Sequence, residues 1–357
     1  MKMKKLIISC GGTGGHFYPG LAIGRKGKEL GADIRLFLTG WRAEGQVEIA
    51  SGFGLESDVA RSLQLPRSLK TLLLFLVFFP IDFCKSISYL KTEKPDALLL
   101  MGSFAGLPLG LAARLLKIKI YVHEGNVLAG KANRFFSKFS KVCFASFPLA
   151  NEASIQCPIE LSGMPIRPEL LNEDDADFPP FVEGLTIDKP FVLCFGGSQG
   201  AQAINESFPA ACQLLKAKGL GIQAVHLSGQ DDNEALSQAY GDVAHWVVKS
   251  SEHMGPLLQW SSLVVCRGGA SSLAELAHFG KSAVLIPYPY AAENHQRVNA
   301  ELAAKNGAQI LDQNDLSVES LAMAMEALLK AGESASLKGL AVEDSAGFVI
   351  RKIFPTL

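Results

Sequence analysis

The chain has 357 residues at 38.3 kDa, too long for one small module and long enough for two domains with separate cores. Its 34 Lys plus Arg against 35 Asp plus Glu give a net charge of −1, which excludes a strongly basic nucleic-acid binder and an acidic disordered chain. Apolar residues make up 48% and charged residues 19%, which raises the question of a membrane, yet the longest apolar run, Leu72 to Ile81, has ten residues and contains Pro80, against the roughly 20 that a span needs.

The N-terminus passes from three lysines into Leu6-Ile7-Ile8-Ser9-Cys10 and a glycine loop, too short an apolar stretch for a secretory leader, so a cytoplasmic protein is expected. Strand-like aliphatic runs then alternate with helical patterns: residues 5–10, 34–39, 97–101 and 118–122, then 191–195, 222–227, 263–266 and 283–286. Such alternation predicts parallel sheets covered by helices on both faces. Between the two groups, residues 158–190 hold six prolines and many acidic residues and read as a linker. The expected division is an N-terminal domain over 1–163, a second over 164–340, and a tail over 341–357 whose amphipathic helix, Val342 to Phe354, crosses back onto the first domain. Residues 1–163 carry 21 Lys plus Arg and 12 Asp plus Glu, a net of +9, and the rest carries 13 and 23, a net of −10. Seven cysteines without any Cys-x-x-Cys read as buried free thiols, with no metal site.

Each domain opens on one device, a strand followed by a glycine turn and a helix: Gly11-Gly12-Thr13-Gly14-Gly15-His16 and Gly196-Gly197-Ser198-Gln199-Gly200. Glycines let the backbone turn tightly and bring helix N-terminal N–H groups to an anion. Neither turn contains Gly-Lys-Ser/Thr, and the second strand ends in Leu38-Thr39-Gly40 without a ribose-binding acid, which argues against a nucleoside triphosphatase and a nicotinamide enzyme. A third turn, Cys266 to Glu275, runs from a strand into a helix that Ser271 and Ser272 can cap; Glu275 either accepts from ribose hydroxyls or closes a capping box with Ser272. The loop Ile286 to Gln296 leads into another helix, with Asn294 as its cap or as a sugar-reading amide. His16 is a general base or a hydrogen-bonded loop histidine, and His123-Glu124-Gly125-Asn126 offers further polar groups. Leu72 to Phe83, with Phe75, Phe78 and Phe79 flanked by Lys70 and Lys85, is a core helix or a surface that dips into anionic lipid.

Taken together, Gly11 to His16 with Pro19-Gly20, Gly196 to Asn205, Cys266 to Glu275, and His295-Gln296 with Asn299-Ala300 resemble glycosyltransferase family 28 over nearly the whole chain. The resemblance implies an α/β protein of the GT-B fold, two Rossmann-like domains whose parallel sheets face a central cleft. It implies a bacterial inverting, metal-independent transfer of N-acetylglucosamine from UDP-N-acetylglucosamine to undecaprenyl-pyrophosphoryl-muramoyl-pentapeptide (lipid I), making lipid II for the cell wall, with no cofactor. Carried over by motif, His16 is the base, with Glu124 as the other candidate. Ser198 and Gln199 touch the donor's phosphates or sugar, Ala270, Ser271, Ser272 and Leu273 the diphosphate, Glu275 the ribose, and Gln296 the sugar hydroxyls. Arg167 also contacts the donor, the Ser251 backbone reads uracil, and Thr13, Gly14, Gly15 and Asn126 complete the pocket. Leu72, Phe75, Phe78, Phe79, Lys70 and Lys85 form a patch on an anionic membrane, which places the protein peripherally on the cytoplasmic face of the inner membrane beside other cell-wall synthesis proteins. Nucleic acid is not an expected partner.

Departures cluster on the acceptor side. Gly125 replaces Gln in His-Glu-Gln-Asn, Met164 replaces Asn in Gly-Asn-Pro-Val-Arg, and Gly102-Ser103-Phe104-Ala105-Gly106-Leu107-Pro108 stands for Gly-Gly-Tyr-x-Ser-Gly-Pro. On the donor side, the family's Cys-Arg-Ser-Gly is Cys266-Arg267-Gly268-Gly269 here. Two other readings follow: a UDP-sugar transferase with a different lipid or soluble acceptor, and a non-catalytic nucleotide-sugar-binding scaffold at the membrane.

Overall fold

Aliphatic runs buried on both faces build two all-parallel sheets in the computed structural model, which describes residues 3–40, 43–61, 68–171, 182, 184–186, 188–197 and 200–357. The chain divides into two compact units, Met1–Pro168 with Val342–Leu357, and Glu169–Ala341.

The first unit contains β1 (Lys5–Cys10), α1 (Gly14–Glu29), β2 (Asp33–Thr39), α2 (Ala43–Gly52), β3 (Glu56–Ala60), α3 (Leu69–Glu93), β4 (Ala97–Leu100), α4 (Leu107–Leu115), β5 (Lys119–Glu124), α5 (Lys131–Ser137), β6 (Ser140–Ala145) and β7 (Ile159–Leu161). Its sheet order is β3-β2-β1-β4-β5-β6-β7. Ile8 pairs with Leu36 on one side and Leu99 on the other. Successive side chains leave opposite faces, so Leu6 and Ile8 enter a core with Phe17, Leu21 and Ile23 of α1, while Ile7 enters a second core with Leu98, Leu109 and Phe136.

The second unit contains β8 (Phe191–Phe195), α6 (Gln202–Ala217), β9 (Gln223–Leu227), α7 (Asn233–Gln238), β10 (His245–Val248), α8 (Met254–Trp260), β11 (Leu263–Cys266), α9 (Ala270–His278), β12 (Ala283–Leu285), α10 (His295–Ala304), β13 (Gln309–Ile310) and α11 (Val318–Ala331). The order is β10-β9-β8-β11-β12-β13. The last helix, α12 (Ser345–Ile353), belongs to the first unit, where Val349, Ile350 and Ile353 join the α1 core. The first unit extends to Pro168 rather than to the expected boundary near 163, and β7 lies inside the stretch read as linker.

Helix α3 corrects the ten-residue estimate. It runs 25 residues and is long and apolar enough, by length and composition, to cross a membrane. Ser68 opens it with a capping box to Thr71, and Pro80 is accommodated inside it. It is not a core helix: only Ser86 and Leu90 are buried, while Leu73, Leu76 and Val77 are 57%, 60% and 59% exposed. Its C-terminal end is fastened to the sheet, where Tyr89 donates to Asp58 at 2.7 Å and Glu93 pairs with Lys5 at 2.6 Å.

Candidate functional site

In each unit the chain order reverses beside the first strand, opening a crevice at the strand C-termini where ligands of such sheets bind. In the first unit that point lies between β1 and β4. Gly11 makes the turn after β1 at φ +115°, where a Cβ would stand 2.6 Å from the Thr39 carbonyl oxygen. Thr13 then occupies the cap position of α1 without a side-chain capping bond, and Gly14 and Gly15 form the first turn. Thr13 Oγ1 is instead 3.3 Å from His16 Nδ1. From β4 comes Gly102, at φ +97°, and a Cβ there would stand 3.1 Å from His16 Nε2. The imidazole therefore lies against a bare Cα, and sequence reasoning gave Gly102 no such role. The adjoining Ser103, where the family pattern has a second glycine, holds a left-handed φ of +71°.

Glu124 ends β5 with its carboxylate fully engaged. It accepts from the backbone N–H groups of Asn126 and Gly130 and from Asn133 Nδ2, each at 2.9 Å, and from Asn126 Nδ2 at 3.3 Å. This geometry makes it the clamp of the 125–130 loop. Beside it, burial pushes the His123 imidazole down to about 4, so that ring is neutral at physiological pH. Arg167 stacks over Tyr18 of α1 at 5.3 Å and so lies in the first unit, not in the second as its place in the sequence division suggested.

The second unit's reversal lies between β8 and β11. Ser198 and Gln199 lie outside the described residues. Gly196, Gly200, Ala201, Gln202, Arg267 and Gln296 line a pocket of about 710 Å³ there. Arg267 donates to the Ile286 carbonyl at 3.1 Å and stacks on Tyr288; burial lowers its affinity for its proton from the ordinary guanidinium value. Gln296 Oε1 accepts from the Tyr288 N–H at 2.9 Å, so the donor Nε2 is the amide group left to read a ligand. Asn294 does hold the α10 cap position, but with a left-handed backbone and no capping bond.

The expected caps of α9 are absent. Gly269 occupies the N-cap without any side-chain bond, so Ser271 and Ser272 fall inside the first turn, and Ser271 Oγ is buried without a hydrogen-bond partner among the described residues. The Gly268-Gly269 turn packs closely on α10, where a Cβ on Gly268 would stand 2.4 Å from the Gln296 carbonyl oxygen, and the helix starts two residues before a Ser271 cap would place it and three before a Ser272 cap. The capping box is therefore not formed. Glu275, 6% exposed, lies in the second turn of α9 after Ala270 to Leu273. Ser251 lies half-buried between β10 and α8 and accepts from the His253 N–H at 3.1 Å.

A second candidate surface is α3. Phe75, Phe79 and Phe83 stack at successive turns with centroids 5.2 and 6.1 Å apart, and Arg61 lies 4.0 Å over Phe78. Leu72, Lys70 and Lys85 are exposed on the same helix.

Residues 6–145 match the glycosyltransferase family 28 N-terminal domain and residues 191–345 the family 28 C-terminal domain. A protein of Saccharophagus degradans named UDP-N-acetylglucosamine--N-acetylmuramyl-(pentapeptide) pyrophosphoryl-undecaprenol N-acetylglucosamine transferase is 35% identical, over 92% of this chain and 85% of its own. A protein of the same name from Geobacter metallireducens is 34% identical over 97% of both. The crystal structure of Acinetobacter baumannii MurG superposes with a TM-score of 0.78 at 26% identity, over 99% of this chain and all of that one.

Proposed function

The chain belongs to glycosyltransferase family 28, and from that we infer that it transfers N-acetylglucosamine from UDP-N-acetylglucosamine to lipid I, giving lipid II for peptidoglycan. One observation carries this: relatives about a third identical across nearly the full length of both chains are named for that single activity.

In the reaction, the acceptor's sugar hydroxyl attacks the anomeric carbon of N-acetylglucosamine. The bond from that carbon to the β-phosphate oxygen breaks, UDP leaves and the configuration inverts. His16 takes the hydroxyl proton on Nε2, its ring oriented by Thr13 at Nδ1 and by the open face of Gly102. Glu124 acts as the clamp that shapes the neighbouring Asn126 loop, since four donors already use its oxygens. Growing charge on the diphosphate falls on the N-terminal turn of α9, Ala270 to Leu273, where the helix dipole and the N–H groups ahead of Leu273, whose own N–H is bonded to the Gly269 carbonyl at 2.9 Å, stabilise it. Glu275 accepts from the ribose hydroxyls, the Ser251 backbone reads uracil, Gln296 Nε2 donates to the sugar, and Ser198 and Gln199 complete the donor contacts. Gly14, Gly15 and Arg167 are further donor contacts carried over from the family motifs.

Helix α3 seats the enzyme on the anionic cytoplasmic leaflet as a peripheral protein, where its polyprenyl acceptor resides and other cell-wall enzymes work. Its charge-free stretch, Leu72 to Ile81, covers only about 15 Å at 1.5 Å per residue, against a hydrocarbon core of about 30 Å. Asp82, Lys85, Lys91 and Glu93 follow, and the far end is tied to the sheet, so the helix lies in the interface rather than through it.

Purified protein given UDP-N-acetylglucosamine and lipid I is expected to release UDP one-for-one with lipid II, read by mass spectrometry. Transfer to another acceptor but not to lipid I overturns the acceptor assignment. Donor binding without turnover on any acceptor overturns the enzymatic one.

A further inference from the structure

The turn after β8 is held from behind by a buried polar chain that takes no part in the transfer as described. Asn205, in the first turn of α6 and fully buried, donates through Nδ2 to the Ser228 carbonyl at 2.8 Å and to Asp231 Oδ2 at 2.7 Å. The opposite amide orientation would set Oδ1 against two acceptors, so this one is forced. Oδ1 then faces His226 Nε2 at 3.0 Å, which must be the protonated ring nitrogen. His226 Nδ1 is left as an acceptor, and Tyr240 donates its hydroxyl hydrogen there at 2.9 Å. Tyr240 is itself fully buried and stacked on His245 with centroids 4.6 Å apart. A single arrangement of protons satisfies the whole chain.

The other end of this chain is the glycine turn. The Ser228 carbonyl oxygen that Asn205 holds lies 2.6 Å from where a Cβ of Gly200 would stand, with Gly200 at φ +76°. Gly196 and Gly200 are walls of the pocket that also presents Gln296 and Arg267. Any movement of the Ser228 carbonyl therefore moves against the pocket wall.

We propose that Asn205 is a positioning residue for the donor pocket: it fixes the Ser228 carbonyl and Asp231 behind Gly200, and His226 and Tyr240 fix the orientation of its amide. The inference rests on the assignment of that pocket to the UDP-sugar. Asn205 touches no substrate; it sets the shape of the turn that does.

The near-isosteric Asn205→Asp variant loses both donors and sets a carboxylate against Asp231. The donor KM is expected to rise about tenfold or more, with kcat and acceptor KM within about threefold of wild type. Asp231→Asn alone is expected to be near neutral, because its amide oxygen still accepts. Added to Asn205→Asp, it supplies a donor to the new carboxylate and is expected to recover at least half of the loss on a logarithmic scale. Tyr240→Phe, which keeps the ring packing and removes one donor, is expected to raise donor KM about threefold and serves if Asn205→Asp does not fold. Unchanged donor KM in a folded Asn205→Asp or in Tyr240→Phe overturns the proposal. So does loss of melting temperature and kcat together with no rescue by Asp231→Asn. Calorimetry with UDP-N-acetylglucosamine on the wild type separates the two levels: no binding overturns the pocket assignment and the inference with it, whereas wild-type binding that the variants match overturns the inference alone.

Discussion

Met164 fills the space that Gly125 leaves: its Cε methyl lies 3.0 Å from where a Cβ on residue 125 would stand. These are two of the positions at which the chain departs from its family's acceptor-side motifs, where the pattern has Gln and Asn. The two departures, a glycine and a thioether where the pattern has two amides, thus meet in space. Met164 is buried, and its sulfur receives the Ser146 hydroxyl at 3.5 Å, with that hydroxyl also 3.5 Å from His123 Nε2.

Gly125→Gln alone drives a long side chain into the Met164 methyl and is expected to destabilise the fold by about 1 to 3 kcal/mol. Combining it with Met164→Asn is expected to recover most of that loss, as contacting residues do in a double-mutant cycle. Denaturant melts of the four proteins measure the coupling; strictly additive effects would show that the two positions changed independently.

His16→Ala is expected to lower kcat by about 10² to 10⁴ with little change in donor KM. Gly102→Ala leaves the base present but crowds Nε2 from a left-handed backbone position, and is expected to cost about tenfold or more in kcat. A fall of less than tenfold for His16→Ala would assign the proton to another acceptor.

Replacing Leu73, Leu76 and Val77 together by Ser is expected to abolish sedimentation with phosphatidylglycerol vesicles. The fold should change by only about 0.5 kcal/mol per site, because these side chains already face solvent. Wild-type binding is expected to weaken with added salt, since the unit is positively charged around an apolar helix. Binding that ignores both changes would remove α3 from the membrane contact.

Burial holds the imidazoles of His123 and His226 down to about 4, with His16 reinforcing the shift at the first and Asp231 opposing it at the second. An unfolded chain titrates histidine near about 6.5 and so binds more protons than the native state between the two values. Stability is therefore fully present above about pH 6.5 and is lost as pH falls toward 4. Urea melts at about pH 7.5 and about pH 5 should show the lower midpoint at the acidic value; equal midpoints would contradict native-state neutrality of both rings.

Strands buried on both faces were readable as aliphatic runs, and so were the glycine turns after β1, β8 and β11. The edge strands β3, β7, β10 and β13 and the internal strand β6 were not, because half-exposed strands such as Glu56–Ala60 and the first half of Ser140–Ala145 carry no continuous apolar run. The extent of α3 was hidden by Pro80, which counts against a helix in the sequence, and by Asp82, which ends the apolar run, although both sit within one continuous helix. Ser271 and Ser272 resembled caps because composition does not reveal that Gly268 packs on α10 and starts the helix early. Gly102 beside His16, and Asn205 beside His226 and Tyr240, are products of strand order: residues far apart in the chain meet only once β4 lies next to β1 and β9 next to β8.

The return of α12 to the first unit has a consequence for biosynthesis. Phe17, Leu21 and Ile23 lack the cover of Val349, Ile350 and Ile353 until nearly the last residues have been made. The second unit, Glu169–Ala341, is one continuous segment and takes no core residue from a later-made helix. The unit whose strands come first in the chain is therefore the one whose core depends on a late-made helix.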